Sequence, residues 1–181
     1  QKQYKKQDAK NICTFCYSHN MLNTFRKNMQ ASLQRNTDLL NSKVLHPDAL
    51  PIINNAFFRF NAHGELALDK KQGTINLENY VNIAIKNPHC TFSLWTKRFD
   101  IIKPYFDNHE KPKNLILIYS SPLTNHIMTK VPKHFDKTFN TVVETDFVEK
   151  QNCTGQKCKD CLRCYKHSNN LEDNLIYEAV K

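Results

Sequence analysis

The run "NLILIYSS", residues 114–121, constrains the fold more than any other stretch of the chain. Leu115 to Tyr119 leave no polar side for water, so a strand made of them is buried on both faces. Strands of that kind belong to parallel sheets, whose crossover connections lay helices over the sheet.

The neighbouring segments alternate as such a sheet requires. "AFFRF" (56–60) reads as a strand ending in the turn "NAHGEL". "NLENYVNIAIKN" (76–87) sets Leu77, Tyr80, Val81, Ala84 and Ile85 on one helical face, with Pro88 just beyond its end. "CTFSLWT" (90–96) is a second strand, and "RFDIIKPYFDN" (98–108) a short helix interrupted at Pro104. "HFDKTF" is a turn or short helical connection, and "FNTVVETDFV" (139–148) a fourth and last strand. Nearer the start, Met21, Leu22, Phe25, Met29 and Leu33 recur at three- and four-residue spacing, which predicts one helix over residues 19–40 with a single buried stripe. The tail "LEDNLIYEAVK" is expected to be a terminal helix or a docked segment.

The pattern therefore predicts an α/β fold, a single domain over residues 1–181, in which repeated βα units form a parallel sheet or a partial, incomplete barrel. Ligands of such sheets sit beyond the carboxyl ends of the strands, so "NAHGE", "TKR" and "SSPLTN" become candidate site turns, with Glu65, Lys97 and Arg98 facing the site.

Four of the seven cysteines lie within twelve residues: Cys153, Cys158, Cys161 and Cys164, in "NCTGQKCKDCLRCYKH" (152–167). Their odd total and clustering, and a polar start, point to reduced ligands rather than bridges. Thiols this close repel once ionised unless a cation holds them. The spacing C-x4-C-x2-C-x2-C is expected to be a cysteine-rich metal loop. Serial two-residue gaps favour an iron–sulfur cluster, and zinc is the alternative. A second pair, Cys13 and Cys16, stands in "CTFCY", and alone a C-x2-C serves zinc, iron–sulfur or redox exchange. His63 and His167 lie beside these candidate sites, whereas His46, His89, His109, His126 and His134 fall in segments expected to be surface loops.

Charge narrows the partners. Lys and Arg number 26 against 17 Asp and Glu, a net charge of +9, which attracts anionic partners and makes nucleic acid or a nucleotide the expected class. No apolar run reaches bilayer-spanning length, so no membrane partner is expected and the location is expected to be cytoplasmic. The chain begins with Gln1 rather than Met, as a fragment or processed product would. With only 3 glycines and no Ser/His/Asp order, a phosphate-cradling loop and a hydrolase triad are both disfavoured.

Two resemblances follow from these residues. "CTFCY" resembles the end of the radical S-adenosylmethionine signature C-x3-C-x-aromatic-C, and "HGE" resembles that superfamily's Gly-Gly-Glu turn. Ala9 stands where the first signature Cys belongs, and His63 where the first Gly does. The resemblance implies that Cys13 and Cys16 bind a four-iron, four-sulfur cluster and that Gly64 and Glu65 contact S-adenosylmethionine. A third ligand would come from elsewhere, such as Cys90 or the later cysteine cluster. The stretches "FRFNAHGEL", "NLENYVNIAIKNPHCTFSLWTKR", "KPKNLILIYSS" and "NCTGQKCKDCLRCY" are similar to a phage and mobile-element family, gene product eighty-eight, which implies cysteine-bound metal without an assigned reaction. The resulting expectations are an iron–sulfur protein descended from radical enzymes, or a non-enzymatic zinc module that binds nucleic acid or a host protein.

Overall fold

In the computed structural model, which describes residues 8, 10–67, 69–149 and 151–180, five parallel strands form one sheet. They are β1 (Phe57–Phe60), β2 (Thr91–Thr96), β3 (Leu115–Thr124), β4 (Lys137–Val142) and β5 (Leu175–Ala179). Their spatial order follows the chain order, β1-β2-β3-β4-β5. The helices are α1 (Tyr17–Asn23), α2 (Met29–Ser42), α3 (Lys70–Lys86) and α4 (Phe99–Phe106).

Register divides the side chains into two faces. Phe58 pairs with Phe92 and Phe92 with Leu115, while Phe60 pairs with Leu94 and Leu94 with Leu117. These residues form the helix face. They join Leu77, Val81 and Ala84 of α3 and Ile101, Ile102 and Phe106 of α4 in one buried cluster. Burying whole Leu, Ile and Phe side chains contributes about 1.5–3 kcal/mol each before entropy is counted, so this face carries the main stabilising term. α3 starts where Asp69 accepts from the Gln72 amide (2.9 Å). A Cβ at Gly73 would collide with Ile101 Cδ1, so a glycine lets α3 approach α4.

The opposite face holds Phe57, Arg59, Ser93, Trp95, Ile116, Ile118, Lys137, Phe139 and Ile176 by the same register. No helix longer than four residues follows β3 or β4. Among the described residues the segment between β4 and β5 runs instead through four short helical turns, Thr145–Val148, Cys158–Cys161, Arg163–Tyr165 and Leu171–Asn174.

Several expectations change. Residues 19–40 are two helices, because Asn23 Nδ2 and Thr24 Oγ1 bond back to the carbonyls of His19 and Asn20 (2.7 Å each) and the chain turns before Met29. Their apolar stripe is not core: neither α1 nor α2 has a buried residue, and Phe25 is 75% exposed. On α3, Ile83 is buried while Ile85 is 61% exposed. α4 continues through Pro104, its sixth residue, and ends two residues later at Phe106, so the proline removes one backbone bond close to the helix end rather than stopping the helix. β4 begins at Lys137 and ends at Val142, so residues 145–148 turn helical rather than extend the strand. The tail starts with a short helix, Leu171–Asn174, and then docks as a fifth strand, β5, paired along β4 from Leu175 to Ala179. Among the described residues no helix is long and apolar enough to cross a membrane.

Candidate metal centre

The two cysteine groups occupy opposite ends of the sheet. β3 carries a register shift between Ser120 and Thr124, at Pro122, and its tip pairs with the start of the chain. Leu123 bridges Asn11, and the Thr124 amide donates to the Lys10 carbonyl (3.1 Å). From there Asn11 Oδ1 accepts from the Cys13 amide (2.9 Å) and opens a turn over Ile12–Phe15, with Cys16 next, before α1. Tyr17 donates its hydroxyl to the Ala62 carbonyl, and Ser18 Oγ meets His63 Nδ1 at 3.0 Å. Cys13 and Cys16 thus lie on a turn tied to the carboxyl end of β3 and, through Tyr17 and Ser18, to Ala62 and His63 just beyond β1. Ala9 lies outside the described residues.

Gly64 has φ +99°, a left-handed value that favours glycine, with open space where a Cβ would go. It turns the chain so that Glu65 reaches β2. Glu65 Oε1 accepts from the Leu66 amide (2.9 Å) and the Thr96 hydroxyl, and Oε2 from the Lys97 amide (2.7 Å). The carboxylate therefore knots the ends of β1 and β2 together. Lys97 does face inward, its Nζ donating to Ser120 Oγ (3.2 Å). Arg98 does not: it pairs with Asp100 (2.8 Å) and the Ala67 carbonyl at the start of α4.

The C-terminal cysteines fold back over the amino-terminal half of the non-helical face. Cys153 is placed by its amide, which donates to the Tyr177 carbonyl of β5 (2.9 Å). Tyr165 packs edge-on against Phe57, the first residue of β1, with ring centroids 5.4 Å apart. Between them Leu162 adopts φ 56°, uncommon for a branched side chain, which turns the chain between Cys161 and Cys164. All four cysteines, with Asn152, Leu162 and Ile176, line one small cavity of about 30 Å³. Burial, then the neighbouring Cys158 and Cys153, push the Cys164 thiol up to about 12, and Arg59 opposes them. Among the described residues, no three His, Cys, Asp or Glu side chains converge closely enough to hold a metal ion.

Other candidates are placed elsewhere. His167 Nε2 meets the Lys113 carbonyl (2.9 Å) and Nδ1 lies 3.5 Å from Asp136, so its ring moors the segment to the sheet. Cys90 is fully buried in the helix-face core, which excludes it as a third ligand at the strand ends. His134 is not a free loop residue but bonds Asp107 at 2.7 Å.

Sequence reading missed Lys137 and Arg59. Lys137 is 1% exposed, donates Nζ to Asn174 Oδ1 (2.8 Å), and burial lowers its pKa. Arg59 lies over the Trp95 ring at 4.0 Å. Each is a charge on the same side of a strand as a large ring, Lys137 with Phe139 and Arg59 with Phe57, and that parity was the available signal.

The chain matches the model of the family described as Gene product 88 over residues 6–174. It belongs to that family. No curated protein and no solved structure matches it. The Gene product 88 match spans both cysteine groups and β1 to β4, stopping at Asn174, one residue before β5.

Proposed function

We propose that this Gene product 88 chain is a cysteine-ligated metalloprotein on a partial βα barrel, with Cys153, Cys158, Cys161 and Cys164 as the ligands. One observation carries the reading: all four thiols line a single cavity against the non-helical face. The donor set fits a thiophilic metal, and the two-residue gaps favour an iron–sulfur cluster over zinc. Such a cluster, when bound, supplies one-electron chemistry. The chain's own residues would do the rest: Lys137 and Arg163 supply positive charge behind the thiolates, and Tyr165 closes the site toward β1.

At the other end, Cys13, Cys16, Gly64 and Glu65 would form the strand-end site for S-adenosylmethionine. An ionised carboxylate offers about four acceptor positions. Glu65 uses three of them, leaving one on Oε2 for the methionyl ammonium. The substrate class that fits the +9 charge is nucleic acid or a nucleotide.

Anaerobic purification followed by iron, sulfide and zinc analysis tests the metal. Brown protein with matched iron and sulfide supports the cluster, and colourless protein with one zinc per chain replaces it with a zinc module. Equilibrium dialysis with S-adenosylmethionine tests the second site, where no retention rejects it.

A further inference from the structure

Between the two cysteine groups, the non-helical face holds hydrogen-bond donors that have nothing to donate to. Arg59 Nε and Trp95 Nε1 are both buried and both lack a partner. Leaving such a donor unpaired costs stability. The Arg59 guanidinium lies over the Trp95 ring at 4.0 Å, and the Phe139 ring packs 4.4 Å from the same indole. Both donors are therefore held in place by packing. One step further along β2, Lys97 Nζ rests on Ser120 Oγ, the residue in register with Phe139. That single bond leaves the ammonium two further N–H groups. Glu65, which accepts from the Lys97 amide, is also occupied with the Leu66 amide and the Thr96 hydroxyl, and Asp100 is paired with Arg98. Close by, His63 is held toward its neutral form by burial and by Arg26 and Arg59, as a locally positive field dictates.

The unmet groups in this patch are the Arg59 and Trp95 N–H donors and the Ser93 hydroxyl, which can also donate, and two of the donor residues, Arg59 and Lys97, are cationic. We infer that the patch is an oxyanion site, in which Arg59 and Trp95 donate to a carboxylate or phosphate oxygen and Lys97 supplies the second charge. Both indole faces are already covered by Arg59 and Phe139, so Trp95 binds through its N–H and not by stacking a base. Arg59 also acts electrostatically on the Cys164 thiol, so the site is compared with and without metal.

Trp95 is the only tryptophan in the chain, so its fluorescence reports on the site directly. The full-length protein is titrated separately with inorganic phosphate and with acetate, each against sodium chloride at equal ionic strength, before and after chelation. The expected result is a saturable emission change with one of the two anions, which also tells phosphate from carboxylate. Arg59→Gln and Lys97→Gln should each weaken it about tenfold or more, the loss expected for one charge-assisted hydrogen bond. Lys70→Gln, at the start of α3, should leave it unchanged. No saturable change with either anion means that only water meets these donors and overturns the inference. So does an unchanged affinity in folded Arg59→Gln and Lys97→Gln proteins.

Discussion

The two faces of the sheet are built on different chemistry. On one, Phe60, Phe92, Leu94, Leu115 and Leu117 meet α3 and α4 in a closed apolar core. On the other, Arg59, Ser93, Trp95 and Lys137 alternate with Ile116 and Ile118, and the cover is a segment of short turns bearing four thiols. Apolar burial is non-directional and suffices to hold the first face. The second buries charge and orphaned donors, which cost stability unless something pairs them. Apolar stability is thus concentrated on the helix face, and thiols and polar groups on the other.

The largest effect is expected where the core is closed. Phe92→Ala, at a fully buried position, should cost about 3–5 kcal/mol in urea unfolding, equally with and without metal. An effect that depended on metal would blur the distinction between the faces. Next come Cys158→Ser and Cys161→Ser, which should abolish most metal binding and lower the stability of the metal-loaded protein by roughly 2 kcal/mol, with little change in the chelated protein. Thermal melts of both forms check this.

Gly64→Ala sharpens the comparison differently. Its Cβ would meet nothing within 4 Å, so only the backbone strain at φ +99° remains. The expected cost is about 1 kcal/mol. The smallest effect lies at the end of α4, where Asp107 accepts from Lys103 (2.6 Å), Lys133 (2.7 Å) and His134 (2.7 Å). These partners hold its carboxyl well below the usual carboxylate range. A depressed folded-state pKa stabilises above the ordinary value, about 4, and that contribution is lost as pH falls toward the depressed one. Asp107→Asn should lower the melting temperature slightly near neutrality, where the contribution is present, and flatten its fall below about pH 4, where variant and wild type converge.

How far the sequence could be read follows the same division. β1, β2 and β3 declare themselves because Phe57–Phe60, Thr91–Thr96 and Leu115–Tyr119 are apolar enough to be nothing but buried strand. β5 stays hidden since Leu175 to Ala179 is preceded by a helical turn and followed by too little chain to show its alternation. The apolar residues of α1 and α2 mislead because helical spacing shows that a stripe exists but not what covers it. Phe25 has no such cover. At the sites, cysteine spacing predicts which thiols share a cavity. It carries no information about which end of the sheet they reach, because that depends on the pairing of Asn11 with Leu123 and of Cys153 with Tyr177.

The central proposal is that the C-terminal cysteines hold the metal against the non-helical face. It is tested by iron, sulfide and zinc per chain in anaerobically purified Cys158→Ser/Cys161→Ser and Cys13→Ser/Cys16→Ser double variants. The account predicts that the first loses the metal found in the wild-type chain and the second keeps most of it. Full metal retention by folded Cys158→Ser/Cys161→Ser protein would contradict it.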